Sequence, residues 1–508
     1  MRHTPVPGLL VAALLVSACG STAQQANSTT AGGSGDTSLA APEQFGISGL
    51  GPTGAAPGPL AGDGAAGPGS NGSDPAGAAP SGAGVGGGAA GAPGSAAPPG
   101  RPTEGGAAVS AGPVGPGVTA STINLGFYIP KNGDRAFGAI GVDIATGDGQ
   151  AQTQAIVDHL NSKGGIAGRK IVPLFFAYDL ANPDTAGQDQ AACTYWTEDH
   201  KTFAVFSVNQ ESDLLLTCLA KRGTMYVADN KSIDEATQRK VAPYFWAPGD
   251  FLAERFARSY VTSLHEQGFL PKGTKVGLLI RDAPRNVRVA ENVVRPALKA
   301  IGAELTKVGT APYGASGTNQ QGNVLAFKDA GVTRVLALEV NPLLFMQQAE
   351  TQNYRPKYGL HSGYSPGGVI QTGAPRNQLS GARGMGWIPV SDVDAANDPG
   401  PVSPRQTLCF DLMRKAGQDP SVRVTALIML WWCDTVFFVD DVLERAAAVN
   451  AASFAPAVAR FGAASVSAVT YQRAFPGGRA DGASSYRPVA FVDECACFRY
   501  VGPVRRLS

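Results

Sequence analysis

Gly363-Tyr364-Ser365-Pro366-Gly367 has the Gly-x-Ser-x-Gly spacing that presents a nucleophilic serine on a tight strand-to-helix turn. Such an elbow uses the backbone N–H of the residue after the serine to hold an oxyanion. Pro366 has no N–H, and Pro366-Gly367-Gly368 stands where a helix should start, so a hydrolase is not expected. The glycines of Gly381-Ala382-Arg383-Gly384-Met385-Gly386 are wrongly spaced for a dinucleotide loop. Asp392, Asp394, Asn397 and Asp398 offer calcium-type oxygens, yet the closing Glu is missing, and a surface hinge loop is the better reading. The sequence contains no Walker loop and no His-Glu-x-x-His. The expectation is a non-enzyme without metal or cofactor.

Of seven cysteines, six remain once Cys19 in the N-terminal segment is set aside, and these could do redox or metal chemistry: Cys193, Cys218, Cys409, Cys433, Cys495 and Cys497. Zinc fails because no Cys-x-x-Cys occurs and no His lies near Cys495 or Cys497. An even count outside the cytoplasm points to disulfides. Sequence does not decide among the 15 pairings that six cysteines allow. The expected set is Cys193–Cys218 and Cys409–Cys433, each joining neighbouring helices, with Cys495–Cys497 as a tight local loop.

Of the 508 residues, 65 are Gly and 37 Pro, and the excess is local. In residues 51–100, Gly, Ala and Pro make up 40 of 50, and Phe45 is the only aromatic between Gly20 and Gly126. Such a stretch cannot bury enough apolar surface to offset its chain entropy, so residues 20–117 are expected to be a disordered linker. Its root-mean-square reach as a coil is roughly 55 Å. The foldable part, residues 118–508, is large enough for two lobes with their own cores. It carries 39 basic and 35 acidic residues, which excludes the basic stripe of a nucleic-acid binder.

Residues 1–20 read as a secretory signal, with Arg2 and His3 ahead of an apolar segment too short to span a bilayer. Val16-Ser17-Ala18-Cys19 resembles the bacterial lipobox, which implies cleavage before a diacylglyceryl-modified Cys19. The expected location is the extracytoplasmic face of the cell membrane, by lipid anchor.

From residue 118 the pattern alternates. Ile123, Leu125, Phe127 and Ile129 make a strand, followed by a helix over 151–162 that stops at Gly164-Gly165. Strands at 170–176, 203–208 and 225–228 alternate with helices at 186–199 and 212–221. Residues 243–248 interrupt, and the alternation restarts with helices at 251–267, 286–301, 320–329 and 343–352 and strands at 275–281, 303–310 and 334–338. Two such runs imply two doubly wound parallel-sheet lobes, with ligands beyond the C-terminal strand ends. Residues 424–439 are strongly apolar but interrupted by Asp434, and read as a buried helix of the first lobe.

Val118-Thr119-Ala120-Ser121-Thr122-Ile123-Asn124-Leu125-Gly126 resembles the opening strand of the type I periplasmic solute-binding proteins, the leucine/isoleucine/valine-binding family. Asn161-Ser162-Lys163-Gly164-Gly165-Ile166-Ala167-Gly168-Arg169 is similar to that family's Asn-x-x-Gly-Gly-Ile-x-Gly-Arg signature, and Tyr178-Asp179 stands where the family has an acidic residue. Residues 348–356, with Asn353 in place of a Gly, resemble its Gln-Ala-x-x-x-Gly-Tyr-x-Pro ending. The resemblance implies three hinge crossovers, near 245–248, 387–390 and 469–475. Lobe 1 would comprise residues 118–246 and 390–468, and lobe 2 residues 247–389 and 469–508.

It also implies a guest in the cleft between lobes. In the amino-acid binders the loop running into the helix over 212–221 holds the solute carboxylate with small hydroxyl residues; here it carries Asn209, Gln210, Glu211 and Ser212. Glu211 would repel a carboxylate, so either it turns away or the solute is not a simple amino acid. Asp213 reads better as a helix-dipole partner. Tyr128, at the end of the first strand, would lie over an apolar or cationic solute, or else be an ordinary core aromatic. Asn230 follows the fourth strand. From lobe 2, Arg281, Glu339, Asn341 and Tyr364 stand at strand ends, Glu339 as an acceptor for an ammonium. The implied function is capture of a small polar solute, such as an amino acid or amide, for an ABC importer permease. A ligand-sensing receptor module and a wall-associated scaffold remain alternatives.

Overall fold

The computed structural model describes residues 113–138, 145–208, 213–311, 320–364, 366–393, 402–461 and 465–507. The signal segment with Cys19, the linker up to residue 112, Asn209 to Ser212, Ser365, Asp394, Asn397 and Asp398 lie outside the described residues. All described residues belong to one compact unit, Pro99–Ser508.

Two sheets organise this unit. The first has β1 (Thr122–Lys131), β2 (Lys170–Asp179), β3 (Ala204–Val208), β4 (Met225–Asp229) and β5 (Phe245–Trp246), ordered β2-β1-β3-β4-β5 and parallel throughout. The second is built on β6 (Lys275–Arg281), β7 (Glu304–Ala311), β8 (Arg334–Leu338), β9 (Lys357–His361) and β10 (Arg383–Gly386). These run parallel in the order β10-β9-β8-β6-β7. An antiparallel edge of β11 (Ser485–Val492), β12 (Cys497–Tyr500) and β13 (Arg505–Arg506) completes it.

The alternation in β1 separates two packing layers. Ile123, Leu125, Phe127 and Ile129 face the helices Gly149–Ser162 and Arg423–Leu443, meeting Ile156, Leu160 and Trp432. Tyr128 faces the opposite layer with Trp196, Leu215 and Tyr226. Each large apolar side chain sealed this way contributes about 1.5–3 kcal/mol. Gly126 permits the close approach of this second layer, because a Cβ there would stand 2.6 Å from the Trp196 indole nitrogen. The apolar run at 424–439 is indeed one buried helix, Arg423–Leu443. Among the described residues no helix is long and apolar enough to cross a membrane.

The glycine-rich signature has a structural explanation. Asp148 caps the helix Gly149–Ser162 by accepting from Gln150 and Ala151 N–H. At its far end, Gly165 (φ 80°) comes so close to Arg169 that a Cβ would overlap the Arg169 carbonyl. Ile166 and Arg169 exchange backbone hydrogen bonds of 2.9 and 3.0 Å around a turn in which Ala167 and Gly168 both have positive φ. The Asn161 amide then pairs with both backbone groups of Ile171, at 2.7 and 3.0 Å, and so starts β2.

Two expected helices are interrupted. The helix over 186–199 becomes Thr185–Thr194 followed by a π turn, Tyr195–Asp199. The helix over 286–301 is split into Pro284–Val289, a π turn at Ala290–Val294, and Arg295–Ala300. Pro296, which lacks an N–H, stands two residues past the end of that π turn, so the ladder widens beside a missing donor. A further difference is the six-residue helix Pro366–Gln371, which occupies the stretch expected to lack one. A proline in the first turn of a helix carries no cost, because its N–H would be unsatisfied anyway.

The disulfides are Cys193–Cys218, Cys409–Cys433 and Cys495–Cys497. The first joins the helices Thr185–Thr194 and Asp213–Lys221, the second joins Pro404–Lys415 to Arg423–Leu443, and the third closes the turn between β11 and β12.

Chain segments pass between the sheets at 247–252, 387–393 and 465–484, and buried charges tie them together. Asp434 in the long helix accepts from Ser467 Oγ at 2.8 Å, from Ala468 N–H at 2.6 Å and from Arg473 at 3.0 Å, with both ionic side chains 1% exposed. That is why an Asp interrupts the apolar run. Asp481 accepts from Leu252 N–H at 2.9 Å and Arg255 Nε at 2.7 Å. Asp392 accepts from Ser362 Oγ at 2.6 Å and Tyr500 OH at 3.1 Å, while Ser362 Oγ takes the N–H groups of Trp387 and Ile388. Asp392 is thus a buried structural acceptor rather than a surface-loop residue.

Candidate functional site

The C-terminal ends of β4, β6 and β8 carry charged side chains that meet one another. Lys231, just beyond β4, places Nζ 3.2 Å from Asp213 Oδ1 at the start of the helix Asp213–Lys221. Arg285, at the start of the helix Pro284–Val289 beyond β6, donates to the same Asp213 oxygen at 2.7 Å. Its other terminal nitrogen lies 3.4 Å from Glu339 Oε2, beyond β8. Three residues further along the same helix, Arg288 Nε donates to Asp234 Oδ2 at 3.0 Å. One short helix of the second sheet's layer therefore reaches two carboxylates of the first.

Burial sets the electrostatics here. Burial pushes the Asp213 carboxyl up, but Lys231 and Arg285 outweigh it and hold the group below its ordinary range. Burial also pushes the Lys231 ammonium down, partly offset by Asp213. Asp234 follows the pattern of Asp213, burial being outweighed by hydrogen bonds from Thr237 and Arg288. Asp250, in the first crossover, is pushed up to about 7 by burial, with Glu339 and Asp481 adding repulsion.

Asn230 and Glu339 both adopt φ 58°, the left-handed region, at these strand ends. Asn tolerates that conformation; for Glu339 it costs of order 1 kcal/mol, which the surrounding fold must sustain. Asn230 Oδ1 stands 3.9 Å from the place where a Cβ on Gly363 would sit, so the ends of β4 and β9 also approach each other. Tyr364 packs edge-on against His361, whose ring stacks on Trp387 at 5.7 Å. Burial pushes the His361 imidazolium down to about 3, so the ring is neutral.

The residues expected from the sequence are thus distributed unevenly. Glu339 joins the ionic group directly, and Asn230 and Tyr364 border it from β4 and β9. Asn341 is exposed and caps the helix Leu343–Thr351 by accepting Leu343 N–H at 3.0 Å. Arg281 ends β6, its carbonyl accepting from Asn286 Nδ2 at 3.2 Å. Tyr128 is 1% exposed, and its hydroxyl donates to Asp189 at 3.0 Å, which makes it a core aromatic of the first sheet. Asp213 stands in the first turn of its helix, as a helix-dipole partner does, and also binds two cations. Lys231, Arg285, Asp234 and Arg288 escaped the sequence reading. Their signal was position alone: Lys231 follows Asn230 at a strand end, and Arg285 and Arg288 share one helix face just past another. Among the described residues no group of His, Cys, Asp and Glu is arranged to hold a metal ion.

Residues 122–457 match the family model described as Periplasmic binding protein. No curated protein matches the chain. Among solved structures, a branched-chain amino acid ABC transporter protein of Thermus thermophilus with bound valine superposes with a TM-score of 0.57 at 13% identity, over 76% of this chain and 97% of that one. A fatty acid ABC transporter substrate-binding protein of Thermomonospora curvata gives 0.54 at 17% identity, over 78% and 95%. A leucine-binding protein of Thermotoga maritima gives 0.52 at 12% identity, over 76% and 98%. At these identities the superpositions establish a shared fold. With two parallel sheets, crossing segments between them and a family match over most of the folded part, the chain belongs to the periplasmic binding protein family, type I.

Proposed function

We propose that the chain is an extracytoplasmic solute-binding lipoprotein that captures a small polar solute between its lobes for an ABC importer. The observation that carries this reading is the convergence of charged residues from both sheets at their C-terminal strand ends, the place where open sheets of this kind take ligands. Lobe 1 would consist of residues 118–246 and 390–468, lobe 2 of residues 247–389 and 469–508. Rotation about the three crossing segments would open and close the cleft. The chemistry of this reading is binding without turnover. Asn209, Gln210, Glu211, Ser212, Asn230, Glu339 and Tyr364 are the residues proposed to line the guest. Cys19 would carry the lipid, and the linker would hold the lobes away from the membrane.

A thermal-shift screen of the full chain against amino acids, amides, urea, polyamines, sugars and fatty acids tests the binding claim. A ligand that binds only the folded state raises its stability by about 2.7 kcal/mol at a hundred times its dissociation constant. At least one compound should raise the melting temperature by several degrees; a flat screen would contradict the reading. Mass spectrometry of Cys19→Ala in a lipid-modifying bacterial host should show loss of the lipid-modified form.

A further inference from the structure

We propose that Cys495 and Cys497 form a thiol–disulfide exchange site at the edge of the second sheet, with a dithiol as its reductant. The proposal goes beyond the solute-binding reading and does not rest on it.

The three disulfides differ in what they span and where they lie. Cys193–Cys218 and Cys409–Cys433 have sequence separations of 25 and 24, and each ties two helices together. Cys495 and Cys497 are separated by only 2. A cross-link restricts the unfolded chain less as the loop it closes shortens, so this one adds least to stability. Cys193, Cys409 and Cys433 are buried, whereas Cys495 is exposed, within reach of a thiolate from solvent.

The turn is held without the bond. Val492 pairs with Cys497 at the end of the β11–β12 ladder, and the Phe491 and Phe498 rings meet edge-on with centroids 5.4 Å apart. Ser380 Oγ donates to Asp493 Oδ2 at 3.1 Å, and the Arg376 guanidinium donates to the Asp493 carbonyl. Between the cysteines, Ala496 has φ 49°, the left-handed region that a side chain disfavours. Opening the ring removes one of the two constraints that keep it there, the hairpin being the other. The carbonyl oxygens of Val492, at 3.6 Å, and Cys497, at 4.0 Å, lie beside Cys495 Sγ and would accept its thiol proton. An exposed bond that the fold does not need is the labile kind.

One thiolate of the dithiol bonds to Cys495 Sγ, and the electron pair of the broken S–S bond leaves on Cys497 Sγ, which takes up a proton. The second thiol gives up its proton and attacks the dithiol's own sulfur in the mixed disulfide. The electrons of that bond leave on Cys495 Sγ, which is protonated in turn. Two electrons and two protons thus pass from the dithiol, now a disulfide, to the cysteine pair.

The test is graded reduction of the native full chain with dithiothreitol, followed by iodoacetamide trapping and peptide mass spectrometry. Cys495 and Cys497 should be alkylated at a dithiothreitol concentration about tenfold or more below that which opens either helix-joining disulfide, with one oxidised dithiothreitol formed per chain. The selectively reduced chain, and the double variant Cys495→Ser with Cys497→Ser, should melt within about 2 °C of the untreated chain. Cystamine should attach cysteamine to Cys497→Ser, through the exposed Cys495, several times faster than to Cys495→Ser, whose remaining thiol is buried. Three disulfides that open together, or a Cys495–Cys497 bond that survives until the chain unfolds, would overturn the proposal. So would a melting temperature that falls by many degrees on reduction, or equal cystamine uptake by the two single variants. If a serine variant fails to express, the graded reduction of the wild-type chain decides. The thermal-shift screen reads a different part of the molecule, so each proposal can fail alone.

Discussion

Charge is used in opposite ways in two regions of the molecule. In the crossing segments two ion pairs are sealed: Asp434 with Arg473 is 1% exposed on both sides, and Asp481 with Arg255 is 0% and 9%. Along the seam between the strand ends, three pairs have a member in water. Asp213 is 35% exposed beside Arg285, Arg288 is 48% exposed beside Asp234, and Arg258 with Glu235 is exposed on both sides. A sealed pair is costly to break, because the survivor is a buried charge. On parting, the exposed member of a seam pair regains hydration, while the buried one keeps its other contacts, Thr237 N–H for Asp234 and Glu339 for Arg285. The crossing segments are thus more fully sealed than the seam.

The largest expected effect tests the first half of that contrast. Arg473→Met leaves Asp434 uncompensated and should lower the unfolding free energy by about 3–5 kcal/mol in urea titration. A loss below about 1 kcal/mol would mean that the crossing is not held by this pair.

The second effect is a pH slope from the crossing segments. An unperturbed Asp ionises near pH 4, but burial pushes Asp392 up to about 8 and Asp250 up to about 7. Between about pH 4 and pH 8 the folded chain therefore holds protons that the unfolded chain has released. Stability is full below pH 4 and falls as the pH rises through 8. Asp392→Asn mimics the protonated side chain, so its melting temperature should fall less steeply over this window. Each such group contributes at most about 1.4 kcal/mol per pH unit to the slope. An unchanged slope would show that Asp392 is ionised in the fold.

The smallest effect lies at the seam. Arg258→Gln, in a pair exposed on both sides, should cost less than about 1 kcal/mol of stability. A loss of several kcal/mol would erase the distinction between the seam and the crossing segments.

The sequence made much of this fold legible because long apolar strands announce themselves. In β1, alternation separated Phe127 from Tyr128 correctly by face, and the Gly-Gly-Ile-x-Gly-Arg turn needs its glycines for reasons visible in local geometry. The edge of the second sheet was not legible. β10 is Arg383–Gly386, with two glycines in four residues and no alternation, and β13 is only two residues long. The two π turns were hidden because helical periodicity tolerates one extra residue per turn. The site was harder still. Asp213 meets Arg285 across 72 positions of chain, and Asp234 meets Arg288 across 54. No local pattern encodes such a meeting; it exists only once two sheets are folded and face each other. Tyr128 stayed open in the sequence, since such an aromatic suits a cleft and a core equally well until its hydroxyl is seen on Asp189.

The most direct measurement is a crystal structure of the full chain with the tightest compound from the thermal-shift screen. The account predicts the compound at the seam, in contact with groups from both sheets. A compound bound elsewhere, with Asp213, Lys231 and Arg285 paired as they are now, would contradict it.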